Sequence, residues 1–208
     1  SVTSEMEVFF EVCPCKIIAV TGSDGKTTTT TLIAEILKHA GRRVWLGGNI
    51  GTPLFDRIPD IRPEDFAVLE LSSFQLHSMH CAPDVAIITN ISPNHLDVHP
   101  DLEDYVSAKC SIYRGQRPDG VLVLNARDAH TPRFAAEAPG SVRYFSSIGP
   151  VENGVYCADG VIYRAHGGEA EKLIDVSDIR IPGAHNVENY MAAFAATDGL
   201  VGQAACVQ

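Results

Sequence analysis

No C-x-x-C pair occurs among the six cysteines, Cys13, Cys15, Cys81, Cys110, Cys157 and Cys206, and Cys13 and Cys15 simply flank a proline. That spacing argues against a thiolate metal site. A chain of this size has no need of a disulfide framework, so reduced thiols and a cytoplasmic location are expected. No apolar run approaches the roughly 20 residues that cross a bilayer, and no secretory leader opens the sequence, so no membrane partner is expected. Positive charge is scarce: 16 Lys and Arg face 26 Asp and Glu, for a net charge of −10. That balance disfavours a nucleic-acid groove, which demands a cationic surface. Internal repeats and low-complexity tracts are absent. An initiator methionine is also missing, and the expectation is a piece of a longer protein, monomeric and built as one domain over residues 1–208.

What is present fits an ordinary globular domain, with 45% hydrophobic and 20% charged residues. Its organising stretch is Thr21-Gly22-Ser23-Asp24-Gly25-Lys26-Thr27-Thr28. Ile17-Ile18-Ala19-Val20 before it reads as a buried strand. After it, Leu32, Ile33, Ile36, Leu37 and Ala40 recur at helical spacing, and Gly41 marks a stop. Strand, glycine loop and helix start make a phosphate-binding corner, a shortened form of the Walker A loop. Glycines let the backbone approach an anion, and the free N–H groups of the first helical turn point at it. Lys26 is placed to reach outer phosphates, and the Thr27 hydroxyl to sit on Mg²⁺. Asp24 is the odd residue, because a carboxylate near phosphates is repelled unless it points outward or faces a cation.

Further strands are read at Arg42–Leu46, Asp65–Leu71, Val85–Asn90 and Val121–Asn125, and Met6–Phe10 is a short helix or lead-in. Gly47-Gly48-Asn49-Ile50-Gly51 is either a plain turn or a second anion-facing loop at a strand's carboxyl end. Glu70 closes an apolar run before Ser72-Ser73-Phe74-Gln75-Leu76. It is a rim carboxylate or, beside a phosphate loop, the second Mg²⁺ ligand. His77, His80 and Cys81 are assigned to helix surface or ordinary packing. His95-Leu96-Asp97-Val98-His99 is a metal-binding run or a solvated loop. A helix is expected over Leu102–Arg114, where Lys109 reads by itself as a solvated surface charge, and another opens at Asp128-Ala129.

From Val142 the texture changes to short alternating segments, Val142–Phe145, Val155–Cys157, Val161–Arg164 and Lys172–Val176, separated by Asn153-Gly154, Asp159-Gly160 and Gly167-Gly168. That is hairpin chemistry. A last, Ala-rich helix starts near His185, Asn186 and Asn189, which serve as caps or present hydrogen-bonding groups to a base. The expected fold is α/β: a mainly parallel P-loop-type sheet flanked by helices, with a small antiparallel annex in the C-terminal third.

Thr21–Thr28, Gly47–Gly51, Glu70–Leu76, Asn94–Asp97, Tyr105–Lys109 and His185–Asn189, in this order and spacing, resemble the Mur ligases of peptidoglycan synthesis. The resemblance covers nearly the whole chain but only the family's central, ATP-binding domain, without its N-terminal UDP-binding and its C-terminal domains. Gly47–Gly51 and Glu70–Leu76 are similar to the branch that adds D-glutamate to UDP-N-acetylmuramoyl-L-alanine. The resemblance implies ATP-dependent phosphorylation of a substrate carboxylate, followed by attack of an amine on the acyl phosphate. It implies Gly22, Ser23, Asp24, Gly25, Lys26, Thr27, Thr28, His185, Asn186 and Asn189 at ATP. Thr27 and Glu70 hold one Mg²⁺, and His95 with a carbamylated Lys109 holds a second. Lys26, His95 and Lys109 are the catalytic group, and Asn49, Ser72 and Gln75 face the UDP-sugar. A folylpolyglutamate synthetase-like ligase is the alternative, although the segment after Glu70 argues against it. A nucleotide-binding module without turnover of its own is the third reading.

Overall fold

The computed structural model describes residues 4–92 and 101–202. In chain order the elements are α1 (Glu5–Val12), β1 (Lys16–Thr21), α2 (Lys26–His39), β2 (Val44–Gly48), β3 (Phe66–Glu70), α3 (Ser73–His77) and β4 (Val85–Ile88). They continue with α4 (Leu102–Arg114), β5 (Val121–Asn125), α5 (Thr131–Glu137), β6 (Ser141–Ser146), β7 (Gly154–Ala158), β8 (Val161–His166), β9 (Glu169–Asp175) and α6 (Ala184–Thr197). One nine-stranded sheet runs in the order β2-β3-β1-β4-β5-β6-β7-β8-β9.

The continuous apolar runs are explained by burial on both faces of this sheet. Along β1, Ile18 and Val20 point into a cluster with Ile33 and Leu37 of α2 and Met191 and Phe194 of α6. Ile17 and Ala19 point the other way, into a cluster with Phe9 of α1, Leu76 of α3, Val106 of α4 and Phe134 of α5. The same alternation holds in β3, with Phe66 and Val68 against Ala67 and Leu69. The result is a three-layer α/β/α arrangement whose strand periodicity of two sorts side chains between two cores.

Helix α2 opens with five consecutive threonines, Thr27–Thr31, a β-branched run that disfavours helix. Packing overrides propensity here. Thr29 and Thr30 are fully buried, while the Thr30 and Thr31 hydroxyls donate to the Lys26 and Thr27 carbonyls at 2.8 Å each.

The expected antiparallel region is present, but it begins later than the sequence pattern indicated. Val142–Phe145 lies in β6, which runs parallel to β5, and β7 in turn runs parallel to β6. Asn153-Gly154 is therefore an entry to a parallel strand and not a hairpin turn. Gly154, at φ +133°, approaches so closely that a Cβ would collide with the Tyr144 carbonyl oxygen. Antiparallel pairing is confined to β7–β8 and β8–β9, continuous with the main sheet. Their turns match the paired left-handed residues of tight hairpins: Asp159 and Gly160 at φ 50° and 75°, Gly167 and Gly168 at φ 57° and 89°.

Strand order places a topological switch between β1 and β4. From β1 the chain crosses by α2 toward β2 and β3, and from β4 it goes by α4 toward β5. The loops leaving these neighbouring strands diverge, and the crevice between them is where open α/β sheets bind ligands.

Candidate active site

Five strand ends converge polar residues on that crevice. Thr21 ends β1, Gly48 and Asn49 follow β2, Glu70 ends β3, Thr89 and Asn90 follow β4, and Asn125 ends β5. The glycine loop is clamped by the β4 exit. Asn90 accepts from the Ser23 amide through its backbone oxygen and from the Asp24 amide through Oδ1, both at 2.9 Å. Thr89 Oγ1 donates to the Asp24 carbonyl at 2.6 Å. Asp24 itself is exposed, which resolves its oddity: the carboxylate points to solvent.

Two glycines are required here. Gly22, at φ +144°, lies against Thr89, and a Cβ there would collide with the threonine hydroxyl. Gly25, at φ +78°, is the N-cap of α2, and a Cβ there would meet Asn189 Oδ1. No side chain caps α2, so its first-turn amides remain available to an anion.

Two lysine amines share one acceptor. Lys26 Nζ donates to the carbonyls of Gly22 at 3.0 Å and Ser23 at 2.9 Å. Lys109 Nζ donates to the same Gly22 carbonyl at 2.9 Å and sits 4.5 Å from the centre of the Tyr105 ring. Lys109 is only 2% exposed, so its reading as a surface charge is overturned. The helix α4 turns it into the sheet, beneath the loop. Burial, helped by the neighbouring Lys26 charge, pulls its pKa down to about 7. Tyr105 in turn exchanges a 2.9 Å hydrogen bond with Ser23 Oγ.

Beside the lysines, Thr27 Oγ1 donates to Glu70 Oε2 at 2.7 Å, and Asn49 Nδ2 donates to Glu70 Oε1 at 3.1 Å. A hydroxyl and a buried carboxylate in contact at a helix start are an oxygen donor set suited to a hard divalent cation. Among the described residues, no group of three or more His, Cys, Asp or Glu stands ready to bind a metal unaided. His95, and with it Asn94, Asp97 and His99, lies outside the described residues.

His185 and Asn189 line a cavity of about 140 Å³ with Gly25, Asn90, Phe145 and Glu188. Asn186 points elsewhere: its Nδ2 donates to the Pro182 carbonyl at 2.8 Å, and its Oδ1 accepts from Asn189 Nδ2 at 3.2 Å. Thr28 is half-buried in the first turn of α2. Ser72 and Gln75 form a reciprocal capping box at α3. Gln75 also reaches a second cavity of about 350 Å³, walled by Phe9, Gly48, Gly51, Leu54 and Phe55.

Thr89, Asn90 and Glu188 were not singled out in the sequence. Their signal was position, since Thr89 and Asn90 stand at a strand's carboxyl end. Glu188 gave none, because its partners come from distant segments: Ser147 Oγ donates to it at 2.6 Å and Arg127 at 3.4 Å.

Comparison with known proteins bears directly on this geometry. The Mur ligase middle domain matches residues 20–197. A UDP-N-acetylmuramoylalanine–D-glutamate ligase of Acetivibrio thermocellus is 56% identical over 195 residues, covering 94% of this chain and 42% of the relative. The enzyme of that name from Ruminiclostridium cellulolyticum is 51% identical over 195 residues, with the same coverage of 94% and 42%. The chain thus spans less than half the length of these relatives. Among solved structures, a UDP-N-acetylmuramoyl-L-alanyl-D-glutamate–2,6-diaminopimelate ligase superposes with TM-score 0.74 at 26% identity, over 93% of this chain and 45% of that one. E. coli FolC in complex with DHPP and ADP shares the fold alone, with TM-score 0.67 at 17% identity over 99% of this chain and 60% of that one. A loop held by β4, two lysine amines on the Gly22 carbonyl and a matched segment spanning both sheet edges point the same way: this chain belongs to the Mur ligase family and carries its middle domain.

Proposed function

We propose that this chain is the nucleotide-handling domain of a cytoplasmic ligase that joins D-glutamate to UDP-N-acetylmuramoyl-L-alanine in peptidoglycan precursor synthesis, driven by ATP cleavage and acting with further domains. The observation that carries this reading is the uncapped start of α2 at Gly25, with the Lys26 amine folded back onto the Gly22 and Ser23 carbonyls at 3.0 and 2.9 Å. Free first-turn amides beside a lysine amine make a ready site for an anion. The triphosphate tail is such an anion.

In this reading the α2 amides and Lys26 take the phosphates, while His185 and Asn189 offer polar groups to the base in the neighbouring cavity. Thr27 and Glu70 would hold Mg²⁺, which when bound neutralises phosphate charge during transfer. His95 and Lys109 belong to a second ion. With its pKa near neutrality, the unprotonated fraction of Lys109 can add CO₂ and release a proton, giving a carbamate that replaces a cation with an anionic oxygen ligand. Burial of that amine supports the idea, because desolvation is what makes it nucleophilic. Asn49, Ser72 and Gln75 face the UDP-sugar side, next to the larger cavity at Gly48 and Gly51.

The test is phosphate release by the intact protein. Release should require ATP, UDP-N-acetylmuramoyl-L-alanine and D-glutamate together. Release driven instead by a folate and glutamate, or nucleotide binding without turnover under all these conditions, would contradict the proposal.

A further inference from the structure

The opposite end of the sheet carries a thiol pair that the ligase chemistry does not use. Cys13 and Cys15 flank Pro14 between α1 and β1, and their sulfurs lie 3.5 Å apart. Both line a cavity of about 350 Å³ with Lys16, Pro63, Asp84 and Arg117, open to small molecules. Cys13 is half-buried, whereas Cys15 is only 7% exposed. The backbone carrying Cys13 is fixed, because its amide donates to the Phe9 carbonyl at 2.9 Å and caps α1. Thus the more exposed sulfur and the more buried one lie side by side at the same cavity.

We propose that Cys13 and Cys15 form a peroxide-reactive pair, in which Cys13 is oxidised first and Cys15 resolves it into an intramolecular disulfide. The Cys13 sulfur attacks a peroxide oxygen, and the O–O bond breaks. Cys13 becomes a sulfenic acid and the other oxygen leaves as water. The Cys15 sulfur then attacks Cys13, the S–O bond breaks, and a second water departs. Two thiols lose two electrons and two protons, and one hydrogen peroxide becomes two waters. Closing the bond brings the sulfurs from 3.5 Å to about 2 Å.

Exposure assigns the order, since Cys13 is half-buried and Cys15 only 7% exposed, and the local environments agree with it. A hydrogen bond from Cys15 outweighs burial and the nearby Asp84 charge, and lowers the Cys13 thiol to about 7. The same contact and burial push Cys15 upward. Cys81, Cys110 and Cys157 are all raised, first by burial. A low-pKa, accessible thiol beside a resolving partner is the pattern of reversible thiol oxidation.

The test treats the protein with stoichiometric hydrogen peroxide at neutral pH, blocks remaining thiols by alkylation and maps the peptides. Cys13 and Cys15 should be lost from the alkylated pool together, with a linked peptide lighter by two hydrogens and restored by a reductant. In Cys15→Ser, Cys13 should accumulate as a sulfenic acid trapped by a dimedone probe. In Cys13→Ser, Cys15 should stay alkylatable. Should Cys13 and Cys15 remain alkylatable in the wild type while Cys81 or Cys157 is consumed, or should Cys15 oxidise at an undiminished rate in Cys13→Ser, the proposal falls. The wild-type map decides the matter even where a variant fails to fold, and none of these readouts depends on ligase activity.

Discussion

The two ends of the parallel strands are built from similar residue types but are balanced differently. At the amino ends, the carboxylates and the Gln116 amide nitrogen find partners, while Gln116 Oε1 is buried without one. Asp84 Oδ2 accepts from the Ile17 amide at 2.8 Å, and its Oδ1 pairs with Arg117 at 2.9 Å. Asp65 accepts from Trp45 Nε1 at 2.8 Å, and Gln116 Nε2 donates to the Pro83 and Val121 carbonyls at 3.0 Å each. At the carboxyl ends, two lysine amines crowd one carbonyl, and the helix start is uncapped. The contrast teaches that the described residues pair the carboxylates at one end, while at the other they leave two lysines without a carboxylate partner and a helix start without a cap.

Substitutions should separate the ends. Lys26→Ala should lower the ATP-dependent rate of the intact protein by about 10²–10³-fold, the scale for losing one preorganised charge-stabilising donor, with little change in melting temperature. Gly25→Ala forces a left-handed position and presses on Asn189. It should cost on the order of 1–3 kcal/mol in denaturant unfolding and weaken nucleotide binding as well.

Lys109 gives the carboxyl end a pH signature. Its folded pKa of about 7 lies below its ordinary value of 10.5, so between those values the unfolded chain binds more protons. Stability of the nucleotide-free protein should therefore rise with pH across that window, by at most about 1.4 kcal/mol per unit. Lys109→Met should flatten that rise in pH-dependent melts, and an unchanged slope would remove the buried-amine account. The smallest effect belongs to the other end. Asp84→Ala should cost about 1 kcal/mol of stability and leave nucleotide affinity as it was; a joint loss of both would erase the distinction between the ends.

Much of this was legible in the sequence because it is local. The glycine loop, the strand before it and the helix after it occupy one continuous stretch, and doubly buried strands announce themselves as apolar runs. Glu70 was legible for a similar reason, being an acid closing such a run. Lys109 was not, since residue type and helical spacing make a lysine look solvated, and only the resemblance to a family assigned it a role. The depth of its burial depends on how α4 packs beneath a loop 88 residues away, at Thr21. Val142–Phe145 misled because short alternating segments look alike whether their neighbour runs parallel or antiparallel. Asn49 was expected to face substrate, yet it also steadies Glu70, a contact between two strand exits that no local pattern encodes.

The most direct test of the central claim is calorimetric titration of ATP into the protein, with and without Mg²⁺, for the wild type and for Glu70→Ala. Wild-type binding should tighten at least tenfold when Mg²⁺ is present, and Glu70→Ala should abolish that gain while keeping the weaker, metal-free affinity. Equal Mg²⁺-dependent binding by both proteins would contradict a nucleotide site built at the carboxyl ends of β1 and β3.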